Sequence, residues 1–549
     1  MKGPTSWSRA RFDRLVALLL ALSAAVLVLA ASRTQGITRD EAYYMRAGEL
    51  YVGWIEDALR KTARGKLGEA VSDAGIERYY GYNAEHPALI KTLGGISWRL
   101  LHQCHCPEMA ALHPLSTGRH PTLGLFDEIT AFRLPAALLA GLMVAFAYLF
   151  ALRLGGGVAA FVAAALTLLS PHLFYHAQLL CFDAPVATFW LGATYFHFRS
   201  FFVPSRAKWA GLLFGLGFAT KFNLGFLPVA LLPHWLYLAW RTRRLPPIRS
   251  FVWMGVLGAV VFVAHWPHLW HHTYERAHWY YEFHAKHYHY NFELLGRNYN
   301  DPPYPIYFSV VSLLMTVPVV TLALAGVGLS TAPPESRAAP RMLVALSIAV
   351  PLAVLMLPGA PIFGGVKHFL SAYPFVAIAA GLGAALSVEA LRTWLPARTA
   401  GLVVGILSAL PAALETQRSH PYGLSFYNAL AGGFRGGADL GMNRQFWAGS
   451  VRALLPFLNG LPDGTRVYFH DVNPDMLAMY QRTGLIKRTL IDSGMEEPGI
   501  QSADYAIVMH ERHFNRYEYV IWEAFGTTRP VRVLAVEGVP LVTVYGRPK

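Results

Sequence analysis

The chain has 549 residues, of which 54% are hydrophobic and only 15% are charged, a composition too apolar for a soluble protein of this size. It predicts a polytopic membrane protein. The formal net charge of +14 comes mostly from short Lys and Arg clusters between apolar runs, which is typical of membrane topology and excludes a nucleic-acid partner.

The first apolar run covers residues 15–31 and follows four basic residues. Because basic residues tend to stay on the cytoplasmic side, we expect this run to cross the membrane from inside to outside. A cleaved signal peptide is the alternative, since small residues end the run, although the run is longer than a usual signal core. In both cases the residues that follow emerge outside.

Two adjacent carboxylates, Asp40 and Glu41, lie just beyond this first span. Ionisable residues at a membrane boundary are costly unless they face a polar cavity or a charged partner, so the pair indicates a functional site. The alternative is a solvated acidic start of a helix.

Residues 32–128 form a long outward loop, and loops of this length usually carry structure or function of their own. After Pro87, apolar residues recur at helical spacing but are interrupted by Lys91. This pattern predicts a helix that lies in the membrane interface without spanning it. Residues 49–60 suggest a second helix of this kind.

The same loop holds residue types that bind metals and anions. Glu85 and His86 open the predicted helix and could hold a metal or a proton, while Lys91 could meet an anion. A helix cap with a snorkelling lysine is the alternative. Cys104 and Cys106 also have metal-binding chemistry, but no second half of a site follows them, so they stay unassigned.

Ten further apolar runs follow, which makes about eleven spans and a predicted range of about 11–13 transmembrane helices. The runs cover residues 129–153, 155–169, 183–198, 207–221, 222–240, 251–266, 304–329, 342–357, 367–388 and 399–414. In an eleven-span count that begins inside, the basic clusters share the cytoplasmic side. The same count leaves outside the long first loop, the turn near Asp183, residues 266–304, the tip around Lys367 and the C-terminal tail.

The composition changes after residue 414, which divides the chain into a transmembrane domain, 1–414, and a soluble domain, 415–549. In the soluble domain the pattern predicts a strand over 466–470, a helix over 474–482, a strand over 504–509 and two strands within 531–545. This alternation is typical of a small α/β domain.

The outward segment 266–304 is unusually rich in His, Tyr and Trp. His284 and His287 are three residues apart and would share one face of a helix. With Glu85 they could hold a divalent cation. The alternative is an aromatic belt at the level of the lipid headgroups.

Lys367 and His368 begin a later apolar run at its outer end. A basic pair at this depth could hold a lipid phosphate, since Lys acts on phosphate as a point charge. An ordinary snorkelling anchor is the alternative.

Together these segments resemble the polytopic GT-C glycosyltransferases, near the protein O-mannosyltransferases and the lipid A aminoarabinose transferases. The motifs that carry the resemblance are Asp40-Glu41, Glu85-His-Pro-Ala-Leu-Ile-Lys91, Phe182-Asp183-Ala-Pro185 and Trp266-Pro-His-Leu-Trp270, which runs into His284 and His287. The resemblance covers the membrane region from end to end and the C-terminal tail more loosely. It implies a GT-C fold.

The resemblance implies an enzyme that takes a sugar from a polyprenyl-phosphate carrier and transfers it, with inversion, to a lipid, glycan or protein hydroxyl outside the cytoplasm. Asp40 would be the general base and Glu41 would support it. A cation held by Glu85 with His284 or His287 would offset the charge of the departing phosphate. The residues implied for the donor-phosphate site are Lys91, Lys367, His368 and Asp183.

The sequence departs from the family pattern at three places. His86 stands where a basic Lys is frequent, Ala88 follows the proline where a second proline is common, and Tyr175-His176 replaces a frequent arginine near Asp183. These departures bear on the donor sugar and on the phosphate contacts.

Two other functions suit a polytopic chain. A transporter or flippase of lipid-linked saccharide would use the outward acids as a relay, although no inverted repeat is visible. A sensor or structural protein would bind through its C-terminal domain. For the enzyme we expect the bacterial inner (plasma) membrane, with the active site and the C-terminal domain on the outer side and membrane lipids around the spans.

Overall fold

The computed structural model describes residues 6–103, 122–287, 290–330, 335–494, 496–513 and 515–548. These residues confirm the predicted fold class, a mostly helical chain with apolar helices and a small sheet at its C-terminal end. Cys104 and Cys106 lie outside the described residues.

The helices are numbered in chain order across the described part of the chain. They are α1 (Ser6–Ser32), α2 (Arg39–Ala63), α3 (Leu67–Ala70), α4 (Asp73–Tyr80), α5 (Leu89–Leu101), α6 (Glu128–Leu168), α7 (Pro171–Ala177), α8 (Asp183–Ser200), α9 (Ala207–Phe218), α10 (Leu227–Thr242), α11 (Arg249–Ala264), α12 (Thr273–Ala285), α13 (Phe308–Thr316), α14 (Val319–Ser330), α15 (Glu335–Val354), α16 (Tyr373–Leu391), α17 (Ala397–Ser419), α18 (Gly433–Asp439), α19 (Leu455–Leu458), α20 (Pro474–Arg482), α21 (Glu497–Ser502) and α22 (Arg516–Phe525). The strands are β1 (Phe292–Leu294), β2 (Arg297–Tyr299), β3 (Arg466–Phe469), β4 (Ile491–Asp492), β5 (Tyr505–Met509), β6 (Arg532–Val536) and β7 (Val539–Gly546).

Five of the described helices are long and apolar enough to cross a membrane, and a bent pair, α13 with α14, makes a sixth. Two predicted runs join into the 41-residue α6, whose helix is interrupted at Gly156 with φ 80°. Other predicted spans correspond to shorter helices, such as the 12-residue α9. The large apolar side chains that α1, α10, α11 and α17 leave exposed are the surface that lipid would cover.

The bent pair turns by 116° between α13 and α14. A break inside a membrane leaves backbone carbonyls without partners unless side chains supply them. Asn428 does so, because its Nδ2 donates to the carbonyl oxygens of Leu314 at 2.7 Å and Val317 at 2.6 Å. Asn428, which lies outside the candidate spans, therefore satisfies backbone carbonyl groups at the bend between α13 and α14.

The outward loop differs from the prediction in one respect. The predicted helix over 49–60 is the second half of α2, which begins at Arg39 and therefore includes the acidic pair. The first turn of a helix favours carboxylates, and apolar residues continue at helical spacing beyond it, so one helix forms where two segments were expected. The helix predicted after Pro87 is confirmed as α5, and its place in the membrane interface stays a prediction.

Glycines bring α2 and α5 into close contact. A Cβ atom added to Gly95 would lie 2.2 Å from the carbonyl oxygen of Gly48, and one added to Gly48 would lie 2.6 Å from the carbonyl oxygen of Lys91. Neither position can carry a side chain without moving a backbone. The acidic end of α2 and the Glu85–Lys91 segment are thus fixed to each other.

The C-terminal sheet has the strand order β4-β3-β5-β7-β6. β3 pairs in parallel with β4 and β5, whereas β7 is antiparallel to β5 and β6. The predicted strands and the helix over 474–482 are confirmed at nearly their predicted bounds. The domain boundary at residue 414 stays a prediction, and α17 continues to Ser419.

This C-terminal sheet region docks on α2 and on the turn before it. The backbone N–H of Ile37 donates to the hydroxyl of Tyr480 at 2.9 Å. Further along, Arg482 Nη2 donates to Glu49 Oε1 at 2.5 Å. The first loop and the C-terminal region therefore meet around the start of α2, where the acidic pair lies.

Candidate active site around the start of α2

The two carboxylates of the acidic pair have different surroundings. The Asp40 side chain is 20% exposed, whereas the Glu41 side chain is completely buried. Successive residues of a helix point about 100° apart, so Asp40 faces the neighbouring charged side chains and Glu41 faces the helical bundle. Only Asp40 is accessible to a substrate.

Glu41 is held by a buried arginine. Arg133 Nε lies 2.7 Å from Glu41 Oε1 and Arg133 Nη2 lies 2.6 Å from Glu41 Oε2, a two-pronged pair in which both side chains are buried. Arg133 also donates to backbone carbonyls between Ser32 and Gly36, and Leu180 N donates to Glu41 at 2.8 Å. Glu41 thus ties α2 to α6 and to the end of the first span.

Asp40 faces two cations. Arg39 Nε lies 3.3 Å from Asp40 Oδ1, and Lys367 Nζ lies 3.8 Å from Asp40 Oδ2. The Lys367 ammonium also lies 4.6 Å from the ring centroid of Phe363 and 4.8 Å from that of Trp447. The π faces of these rings stabilise an ammonium group without a tight ion pair, so Lys367 can also meet a further anion.

A second group of charges lies beside this one. Lys221 Nζ donates to Asp183 Oδ1 at 2.7 Å, and His176 Nδ1 lies 3.7 Å from Asp183 Oδ2. Asp183 begins α8, and all three side chains are at least nine-tenths buried. The predicted site residue Asp183 is therefore the partner of Lys221, a lysine that the sequence interpretation did not single out.

Lys91 is completely buried, and its hydrogen bonds go to the protein. Its Nζ donates to the carbonyl oxygens of Asn83 and His86, each at 2.7 Å, and to Asn83 Oδ1 at 3.1 Å. Burial lowers the pKa of Lys91 to about 7, against the opposing effect of Glu85. With three acceptors for its three donors, Lys91 shapes the turn that carries Glu85 and His86.

The three residues predicted to bind a metal, Glu85, His284 and His287, each have other partners among the described residues. Across the described residues, no group of three or more His, Cys, Asp or Glu side chains is arranged to hold an ion. Glu85 Oε1 accepts from Asn83 at 2.5 Å, His284 stacks on Phe222 and His287 stacks on Phe363.

The two histidines nearest the acidic pair have aromatic surroundings instead. His86 lies between Phe182 and His284, with ring centroids 5.0 and 5.6 Å away. Burial, and after it the neighbouring His284 ring, lowers the pKa of His86 well below its usual range. Burial likewise lowers the pKa of His284 to about 4.

His368 follows Lys367 at the start of the candidate span Lys367–Leu391. Its ring meets Phe363 edge-on, with centroids 4.5 Å apart, and its Nε2 atom is buried without a hydrogen-bond partner in the described structure. A buried polar atom without a partner is costly, so a ligand that supplied one would be favoured here.

Lys221 and Trp447 are the functional candidates that sequence reasoning missed most clearly. The eleven-span count places Lys221 at an outer turn, where a lone lysine departs from the positive-inside rule, and that departure was the available signal. Trp447, which has φ 70° and whose carbonyl oxygen accepts from Arg39 N at 2.9 Å, gave no signal, because it lies far away in the C-terminal part.

Chemically, the arrangement joins an accessible carboxylate to a cleft with two lysines. The carboxylate can accept a proton, and the two ammonium groups with His368 can bind a phosphate. Arg39, Asp40, Lys367, Asp183 and Lys221 together form the cluster that we call the charged cleft.

Residues 123–271 match the family of dolichyl-phosphate-mannose-protein mannosyltransferases. The resemblance to this branch of the GT-C glycosyltransferases is thereby confirmed over a segment that contains Arg133, Asp183 and Lys221. A comparison with curated proteins finds no match.

Two solved structures are similar to this chain over most of its length. ArnT from Cupriavidus metallidurans bound to undecaprenyl phosphate is 13% identical, with 96% of this chain and 97% of that chain covered and a TM-score of 0.49. The archaeal oligosaccharyltransferase AglB from Archaeoglobus fulgidus, in complex with an inhibitory peptide and a dolichol-phosphate, is 10% identical, with 92% and 71% covered and a TM-score of 0.45.

Proposed function

We propose that this chain, which carries a mannosyltransferase-family segment between α5 and α12, is an inverting glycosyltransferase that uses a polyprenyl-phosphate-linked sugar. The observation that carries the proposal is the partly exposed Asp40 carboxylate, 3.8 Å from the Lys367 ammonium, which is itself close enough to Lys221 and Asp183 to interact with them electrostatically. A base and two phosphate-binding cations are the groups that this reaction requires.

In the proposed reaction, deprotonated Asp40 takes the proton of the acceptor hydroxyl. The hydroxyl oxygen forms a bond to the anomeric carbon while the bond between that carbon and the phosphate oxygen breaks. The electron pair of the broken bond leaves with the polyprenyl phosphate, and the proton stays on Asp40 until it passes to water. Attack from the face opposite the phosphate inverts the anomeric configuration.

The departing phosphate gains negative charge in the transition state, and cations already in place stabilise it most effectively. Lys367 and Lys221 supply the positive charge that stabilises the phosphate. The Nε2 atom of His368, which has no partner in the described structure, supplies a further polar contact. Asp183 holds Lys221 at 2.7 Å and so contributes to the donor site through it. Glu41 supports Asp40 by fixing the first turn of α2 to Arg133.

The matching family supports a donor of this class, because its description names a mannose linked to dolichyl phosphate. The acceptor is a hydroxyl of a lipid, glycan or protein on the outer side of a bacterial inner membrane, where the count of basic clusters leaves α2 and the C-terminal domain. A divalent cation stays a prediction from the sequence, and the rate after chelation and metal restoration tests it.

Membranes that contain the full chain should release sugar from a radiolabelled polyprenyl-phosphate donor and attach it to an acceptor fraction. The labelled donor lipid should accumulate in cells that lack the chain. A transporter or flippase would instead move intact donor across vesicles without cleaving it, so movement with no released sugar would refute the proposal.

A further inference from the structure

Arg39 lies between two carboxylates that belong to different parts of the chain. Its Nε atom lies 3.3 Å from Asp40 Oδ1 on α2, and its Nη1 donates to Asp471 Oδ1 in the C-terminal domain. The guanidinium therefore bridges the proposed base and a residue far along the sequence.

The backbone of Arg39 is held by the same C-terminal region. Its N–H donates to the carbonyl oxygen of Trp447 at 2.9 Å, and its carbonyl oxygen accepts from Asn473 Nδ2 at 2.8 Å. Main chain and side chain are thus both fixed, which leaves Arg39 one arrangement in the folded protein.

Asp471 is placed for this contact at a conformational cost. It lies in the turn after β3 with φ 66°, a left-handed conformation that is uncommon for residues other than glycine. Its side chain is 7% exposed. The charged and titratable groups around it are Arg39, Glu511, His470 and, one step further, Arg512.

We infer that Asp471 is a positioning residue for sugar transfer, because it holds the Arg39 guanidinium away from a two-pronged pair with Asp40. Arginine pairs most strongly with a carboxylate through two parallel N–H···O bonds, whereas here only one nitrogen approaches Asp40. The Oδ2 atom stays directed at Lys367 and at the acceptor. This inference rests on the proposed function, and it makes the C-terminal domain part of the active site.

The test compares two interface variants in the full-length protein. Asp471→Asn removes the negative charge that holds Arg39, so the guanidinium should shift towards Asp40 and lower kcat by about 10- to 100-fold while the donor KM stays within about twofold. Asp475→Asn is the matched control, since Asp475 also joins the two regions, accepting from Tyr82 at 2.5 Å, but does not contact Arg39. We expect it to retain kcat within about twofold.

A rescue separates positioning from simple docking. Arg39→Gln removes the group that would close on Asp40, so the double variant Arg39→Gln with Asp471→Asn should be more active than Asp471→Asn alone. If Asp471 only docked the domain, removing Arg39 as well would restore nothing. A double variant no more active than Asp471→Asn, or an equal loss in Asp475→Asn, overturns the inference.

Resistance to protease shows whether each variant is folded. If Asp471→Asn loses that resistance, the kcat values of Arg39→Lys and Arg39→Gln are compared instead. Lysine keeps the charge but, as a point charge, cannot bridge both carboxylates, so it should lower kcat more than glutamine does. The opposite order overturns the inference. An inactive wild-type chain would instead refute the proposed function, so the two failures are distinguishable.

Discussion

The Nζ atom of Lys367 lies 3.8 Å from Oδ2 of Asp40, so the proposed base at the start of α2 faces a cation at the first residue of the candidate span Lys367–Leu391. Proton removal and phosphate departure would thus occur within one cleft. Fixed groups at this separation lower the entropic cost of bringing the reactants together.

Replacing the proposed base should stop transfer without unfolding the protein. We expect Asp40→Asn to lower the transfer rate by at least about 100-fold, because an amide cannot accept the acceptor proton. Asp57→Asn is the control, since it makes the same change on the same helix at 19% exposure, about 25 Å further along. Near-normal turnover of Asp40→Asn in a membrane assay would contradict the assignment.

The phosphate role of Lys367 predicts a change in donor affinity. Lys367→Gln should raise the donor KM by about tenfold, the effect of losing roughly 1.4 kcal/mol of charge-assisted binding. Lys286, an exposed lysine directly after α12, forms its ion pair with Glu282 of that helix, so Lys286→Gln serves as the control. Unchanged binding of a labelled polyprenyl phosphate to the Lys367 variant would refute the role.

Lys91 should differ from Lys367, because its three donors are already bonded to the turn over residues 83–86. We expect Lys91→Met to lower the midpoint of thermal unfolding in detergent, since it leaves buried carbonyl oxygens without donors. Its effect on donor KM should be smaller than that of Lys367→Gln. If Lys91→Met instead raised the donor KM as much as Lys367→Gln does and left the unfolding midpoint unchanged, Lys91 would belong to the phosphate site.

The buried pair of Glu41 and Arg133 predicts strong coupling between the two residues. Arg133→Met leaves Glu41 charged and unpaired, which should lower stability by about 3–5 kcal/mol. The double variant Glu41→Met with Arg133→Met removes both charges and should recover much of that loss. Thermal unfolding of the two variants in one detergent makes the comparison, and additive losses would exclude the coupling.

Glu511 predicts a pH dependence of stability. Burial, and after it the Asp471 carboxylate, raises the pKa of Glu511 from 4.5 to about 8. The folded chain keeps a proton that the unfolded chain releases, so the stabilisation present below pH 4.5 is lost as the pH rises to about 8.

Glutamine resembles the protonated acid and should remove this loss. Glu511→Gln should therefore raise the unfolding midpoint relative to wild type at pH 9, by about 2 °C or more, and change it little at pH 5. Glu523 is exposed on α22 of the same domain, so Glu523→Gln should show no such difference between the two pH values. Equal shifts at both pH values would contradict the assignment.

Periodicity and composition were sufficient to predict the apolar helices, the helix α5 and the C-terminal strands, because each follows from local pattern. The acidic pair was not joined to the 49–60 helix, because helical spacing was identified only from residue 49 onwards. The partners of the site residues could not be predicted. Arg133, Lys221 and Asp471 each reach their carboxylate or guanidinium partner through tertiary contacts, and no local pattern records which distant residues will meet.

The contacts around the start of α2 also set an order for biosynthesis. Three residues around the start of α2 form contacts with residues that are synthesised much later. Ile37 contacts Tyr480, Arg39 contacts Asp471 and Glu49 contacts Arg482, which follow them by 443, 432 and 433 residues. At about 5–20 residues per second, the ribosome needs roughly 20–90 s to supply those partners. Throughout that interval the proposed base lacks its final surroundings, so a nascent chain can be inserted in the membrane well before it becomes competent for transfer.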